Sequence, residues 1–178
     1  LMVGREVQLT VDRGVSHPGA TVLSVEGLVV RDDRHHEAVR GVDFELRAGE
    51  ILGIAGVAGN GQDELVEAIT GLRKPAAGTV MLGDEDVTHA GVREMREAGV
   101  GFVPGDRHRF GLVLSFPVED NLVLTTYHRK PFSRGMMVDD DEISRWARQA
   151  IDDYDIRTPS EDVPCGTLSG GNQQKAVV

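Results

Sequence analysis

Gly56-Val57-Ala58-Gly59-Asn60-Gly61-Gln62-Asp63 decides how the rest of this sequence is read. Its glycines at 56 and 61 have the spacing of a phosphate-binding loop, G-x-x-x-x-G-K-[ST]. In such a loop backbone N–H groups surround the phosphates, a lysine reaches the β/γ oxygens and a hydroxyl holds Mg²⁺. Gly59 lies between the two, but the lysine position holds Gln62 and the hydroxyl position holds Asp63. The cradle is present and the clamp is missing. Losing charge-assisted contacts worth about 1.5–3 kcal/mol predicts roughly ten- to a hundredfold weaker nucleotide binding. Gly56, Gly59, Asn60, Gly61, Gln62 and Asp63 are thus candidate nucleotide contacts of low affinity. No metal site is expected, because Asp63 reads first as a carboxylate favoured in an opening helical turn.

The flanks support the loop reading. Residues 51–55 (ILGIA) form a short apolar run of the kind buried in a parallel sheet. After the loop, Leu65, Ile69 and Leu72 fall at i, i+4 and i+7, which predicts a helix over 62–72 with its apolar stripe on the sheet. Further out, residues 21–30 and 42–46 are rich in β-branched and apolar side chains and read as strands, as do 78–82 and 100–103. Residues 91–98 read as a short helix. The texture turns helical beyond residue 110. Residues 118–124 hold an apolar set, and Ile143, Trp146, Ala147, Ala150, Ile151 and Tyr154 recur at helical spacing, so Trp146 and Tyr154 are expected to pack inward. The acidic run 139–142 suits that helix's positive end, and 131–141 reads as a loop.

Composition narrows the functions available. The 178 residues, 40% apolar and with a net charge of -10, describe a folded globular chain and argue against a nucleic-acid partner, which wants a basic face. A single cysteine, Cys165, excludes an internal disulfide framework and reads as inert. No run approaches the roughly 18 apolar residues of a membrane span.

A second anion site is written near the other end. In Gly166-Thr167-Leu168-Ser169-Gly170-Gly171-Asn172-Gln173-Gln174-Lys175 a serine and two glycines precede helix formers, so a hydroxyl and backbone N–H groups face outward at a helix start.

The octet from Leu168 to Lys175 matches the LSGGQ-type signature of ABC ATPases, and its NQQK ending resembles the form in sugar and nucleoside importers. With the glycine loop upstream, the chain from about Thr21 onward resembles an ABC nucleotide-binding domain. The resemblance implies an α/β, P-loop NTPase-like fold with an antiparallel β subdomain and a helical subdomain. The implied boundaries are 1–20 for a linker and the tail of a preceding domain, 21–109 for the β subdomain and P-loop core, 110–170 for the helical subdomain, and 171–178 for the start of the helix after the signature. GIAGVAGNGQ resembles the second of two tandem domains in an importer ATPase whose first domain keeps an intact P-loop. Val103-Pro104-Gly105-Asp106-Arg107 resembles the family's V-P-E-D-R, its Q-loop equivalent, with Gly105 at the carboxylate position. Val118-Glu119-Asp120-Asn121-Leu122 resembles V-x-E-N-L, which opens the helical subdomain. Where an aromatic residue normally stacks on adenine, residues 32–36 offer only histidines. The Walker B strand, with its carboxylates, and the switch histidine belong after the signature, so the core is expected to be incomplete.

The resemblance further implies ATP and Mg²⁺ as cofactors, used through the tandem parent. The expected partners are the first nucleotide-binding domain of the same polypeptide, transmembrane permease subunits and, indirectly, a solute-binding protein, all at the cytoplasmic face of the cell membrane. Ser169, Gly170, Gly171 and Gln173 are the implied catalytic contributors, acting on ATP held by the partner domain. On its own the chain is expected to hydrolyse little ATP. A non-catalytic docking module is the alternative. An ABC-type DNA-repair ATPase would need a long heptad insertion, which the sequence lacks.

Overall fold

A computed structural model describes residues 17–135 and 137–178. Most of the expected linker, residues 1–16, lies outside them. The described residues divide into two compact units between Gly101 and Phe102.

The first unit is built on an antiparallel sheet of strand order β2-β1-β3-β4, from β1 (Thr21–Arg31), β2 (Glu37–Arg47), β3 (Ala77–Leu82) and β4 (Glu85–Asp86). β1 is central. Strict alternation would place Val25 and Gly27 on one face, but a register shift between Val25 and Leu28 turns both Val25 and Leu28 into the core. Gly27, at φ 57, supplies the left-handed residue that this bulge needs. β2 begins at Glu37, five residues before the expected strand, because Glu37 and Arg40 face solvent and hide the apolar pattern. Across this sheet lies α1 (Gln62–Ile69), whose Leu65 and Ala68 join Val25, Leu28, Val30, Val39 and Val80 in one core. α1 is shorter than its periodicity predicts. Gly71 takes φ 78 just past its end, and Leu72 is left partly exposed. α2 (Val92–Glu97) adds Met95 to the same core.

Two expected strands are absent. Residues 51–55 and 100–103 form no ladder, and Ile51 is 97% exposed. A parallel strand is stabilised by hydrogen-bonded neighbours and by cover on both faces. Among the described residues no strand pairs with either segment. The antiparallel sheet is therefore formed and the parallel core is not.

The second unit is helical: α3 (Arg107–Phe110), α4 (Val118–Val123), α5 (Asp140–Asp153) and α6 (Gly170–Val177). Asp139 caps α5 by accepting from the Glu142 N–H at 3.2 Å, as the acidic run predicts. The loop expected over 131–141 contains a two-residue hairpin, β5 (Ser133–Arg134) with β6 (Met137–Val138). Ile143, Ala147 and Ala150 are buried on α5, whereas Tyr154, its C-terminal cap, is 55% exposed. That corrects the inward packing expected for Tyr154: the helix ends at Asp153 and the stripe ends with it. Trp146 is likewise exposed, at 41%, rather than packed fully inward as expected; one side of its ring meets Phe132 edge-on with ring centroids 5.4 Å apart.

Asn121 gives the VEDNL stretch its structural meaning. It is 5% exposed; its Oδ1 accepts from Val113 N–H at 2.8 Å, and its Nδ2 donates to the carbonyls of Val113 and Pro117 at 3.0 and 2.9 Å. One buried amide thus satisfies the backbone of the turn that leads into α4.

Candidate functional site

In the first unit, the glycine loop and the tip of the β1–β2 hairpin enclose a cavity of about 720 Å³. The hairpin tip is a folded turn. Asp32 Oδ1 accepts from the N–H groups of Arg34 and His36 at 2.9 and 2.8 Å. Arg73 ties this tip to α1, donating to Glu67 at 2.7 Å, Asp33 at 2.9 Å and the Arg31 carbonyl at 3.0 Å. Gly61 closes the loop against β2. It sits at φ 95, buried, and a Cβ there would lie 2.4 Å from the Ala38 carbonyl oxygen. Only glycine meets both demands.

Gly56, Gly59, Asn60, Gly61 and Gln62 are brought together around this cavity, which Asp63 does not line, but they do not form an open cradle. Asn60 N–H turns back to the Val57 carbonyl at 3.1 Å. Gln62, at the lysine position, also folds onto that carbonyl, its Nε2 3.2 Å away. The amide lies across the loop so closely that a Cβ on Gly56 would fall 1.8 Å from it. Asp63 is exposed on the first turn of α1. Asp32, Glu37 and Glu64 line the cavity, opposed by Arg40 and by His36. The His36 and Arg34 N–H groups and the positive charge nearby hold the Asp32 carboxyl below its ordinary pKa, against a smaller opposing effect of burial, so it is ionised at neutral pH. These surroundings disfavour a triphosphate. The lining carboxylates escape a sequence reading because Asp32 and Glu37 come from the hairpin, 24 and 19 positions before the loop begins at Gly56.

In the second unit, Ser169, Gly170 and Gly171 form the exposed first turn of α6, and Leu168 anchors it, 7% exposed, in a core with Cys165, Val118 and Ala176. Burial alone raises the Cys165 pKa, which suits an inert thiol. Ser169 is the N-cap, its Oγ receiving Asn172 N–H at 3.4 Å and Asn172 Nδ2 at 3.1 Å. Asn172 also pairs with both backbone groups of Arg157 at 3.1 Å. Lys175 donates to the Asp155 carboxylate at 2.9 Å and to its carbonyl. The turn is therefore held from behind while its glycines face outward, and the opening N–H groups of a helix have no intrahelical acceptor. Gln173 is placed differently from its neighbours: it is buried and faces Arg107 and His108.

Residues 39–178 match the family model described as ABC transporter. The chain is 47% identical over 178 residues to the "Guanosine import ATP-binding protein NupO" of Bacillus subtilis, covering all of this chain and 35% of that protein. It is 43% identical over 178 residues to the "Nucleoside import ATP-binding protein NupA" of Lactococcus lactis, with the same coverage. It therefore spans about a third of the length of the curated relatives it matches. Among solved structures it is similar to a nucleotide-free ATP-binding cassette from an ABC transporter. That match has a TM-score of 0.65 and 21% identity, and covers 88% of this chain and 64% of that one. A glycine loop between an antiparallel sheet and a helix, a helical unit carrying an LSGG turn, and a family match over most of the length have one explanation: the chain belongs to the ABC transporter family and has the fold of its nucleotide-binding domain.

Proposed function

We propose that this chain is the second nucleotide-binding domain of a tandem importer ATPase, and that its chemical contribution is made in trans. The carrying observation is the contrast between a glycine loop closed on itself by Gln62 and an LSGG turn that is open and rigidly backed. ABC ATPases use ATP and Mg²⁺, and two domains sandwich each nucleotide between the loop of one and the signature of the other. In that arrangement Gly56, Gly59 and Gly61 hold ATP weakly, hindered by the Asp32, Glu37 and Glu64 carboxylates. The partner domain's ATP meets Ser169, Gly170 and Gly171 instead. There the Ser169 hydroxyl and the glycine N–H groups hydrogen-bond the γ-phosphate, stabilising charge that grows as the phosphoryl group leaves.

The names of the two relatives favour a nucleoside over a simple sugar as the transported solute. The whole protein then works at the cytoplasmic membrane face with permease subunits, supplied by a solute-binding protein. No helix among the described residues is long and apolar enough to cross a membrane. The boundaries proposed for the domain remain 21–109, 110–170 and 171–178.

The test uses the full-length protein with its permease. Gly171→Asp, which puts a carboxylate where the γ-phosphate sits, lowers ATP hydrolysis roughly a hundredfold, the size of a lost oxyanion donor. Ser169→Ala lowers it less. Phosphate release unchanged in both variants would overturn the catalytic reading and leave a docking module that couples permease to motor.

A further inference from the structure

Gln173 belongs to the signature by sequence but not by exposure. At 6% exposed it is one of the few buried polar side chains among the described residues, and both ends of its amide are bonded inside the second unit. Its Oε1 accepts from Arg107 Nε at 3.2 Å and from His108 Nε2 at 2.9 Å, and its Nε2 donates to the Cys165 carbonyl at 3.4 Å. An amide oxygen carries no proton, so His108 is the donor in this contact, through an Nε2–H. Asp106 fixes the turn that presents both partners, its Oδ1 accepting from the N–H groups of His108 and Arg109 at 3.0 and 3.2 Å. The Arg107 guanidinium also backs the signature turn directly: a Cβ on Gly170 would lie 3.0 Å from its Nη2.

We infer that Gln173 is a positioning residue, which with Arg107 and His108 fastens the segment 106–110 to the first turn of α6 so that the two move as one body. The inference rests on the reading that Ser169–Gly171 acts on nucleotide. Gln173 touches no substrate in this scheme. It sets where the Ser169 hydroxyl and the glycine N–H groups stand, and a displacement of segment 106–110 reaches them through this amide as well as through the Arg107 guanidinium beside Gly170. Glycine at position 170 leaves room for this guanidinium, since a Cβ there would stand in tight contact with Nη2.

The test measures ATP hydrolysis by the full-length protein with its permease. Gln173→Ala is expected to lower kcat roughly five- to tenfold, the size of one or two lost hydrogen bonds, with the KM for ATP changed less than twofold. Gln173→Glu, which still accepts from Arg107 and His108, should recover at least half of the wild-type kcat. Arg107→Ala combined with Gln173→Ala should be no worse than the more damaging single change, because both remove one link. If Gln173→Ala does not fold, as judged by its thermal melt, the cycle of Arg107→Ala with Gln173→Leu, which also removes the acceptor but keeps the side-chain volume, carries the same comparison. Additive losses, a glutamate as damaging as alanine, or a KM that rises as kcat falls would each overturn the inference. Gly171→Asp, run in parallel, separates the failures: if it abolishes hydrolysis while the Gln173 series is silent, only the positioning role falls. If it is harmless, the trans reading falls and takes this inference with it.

Discussion

α1 and α6 are each eight residues long, and each is opened by glycines, yet they end in opposite chemistry. At α1 the N-cap is Gly61, which offers no side chain, and the next residue folds its amide back over the loop. At α6 the N-cap is Ser169, which offers a hydroxyl, and the next two residues have no side chains to fold anywhere. Charge follows the same division. Asp32, Glu37 and Glu64 surround the first, while the Arg107 guanidinium stands against Gly170 of the second. A helix N-terminus invites an anion only if its neighbourhood leaves room and does not repel it. The same local geometry is thus spent on loop closure in one place and left open in the other.

The comparison breaks if the two glycine sets respond alike to alanine. Gly61→Ala forces a left-handed residue, costing about 1–2 kcal/mol, and drives a Cβ into the Ala38 carbonyl, an overpacking cost of about 1–3 kcal/mol. A loss near 3 kcal/mol is expected from these terms, read as a lower denaturation midpoint of the full-length protein. Gly171→Ala has open space around it and a helical backbone, so it should raise stability by up to about 1 kcal/mol. One glycine is kept by the fold and the other is free to be kept by function. Equal destabilisation of both would erase that distinction.

Restoring the clamp sharpens the comparison from the other side. Gln62→Lys removes the amide that lies across Gly56 and returns an ammonium to the phosphate position. ATP binding at this loop should tighten roughly ten- to a hundredfold, measured by titration with a fluorescent nucleotide. If affinity does not move, the lining carboxylates rather than the missing lysine control the site.

Much of this asymmetry is legible in the sequence, because it lies in contiguous residues. The 56/61 glycine spacing, Gln62 and Asp63 in place of lysine and hydroxyl, and the LSGG octet are all local patterns. So is α5, where the acidic run 139–142 and the apolar period define cap and face together. What fails is what depends on partners elsewhere in the chain. Residues 51–55 and 100–103 carry the composition of buried strands, but a ladder needs neighbours, and composition cannot supply them. Gln173 reads as one more member of the signature until Arg107 and His108, some 65 positions earlier, are seen bonded to it. Asp32 likewise becomes part of the glycine-loop cavity only through the fold of the hairpin.

That carboxylate yields the smallest of the expected effects, and it tests whether the α1 cavity is negative by construction. The N–H of His36, then that of Arg34, depresses the folded-state pKa of Asp32 below its unfolded value. The sign follows from linkage: a depressed carboxyl contributes stability above the unfolded pKa and loses it as pH falls through the folded one. The wild type should therefore melt slightly above Asp32→Ala at neutral pH, and the gap should close as the pH drops below the ordinary carboxylate value of about 3.9. A gap that persists unchanged into strong acid would mean that the hairpin tip does not depend on an ionised Asp32. The negative rim of the closed loop would then be incidental to its fold, and the contrast with α6 would rest on Gln62 alone.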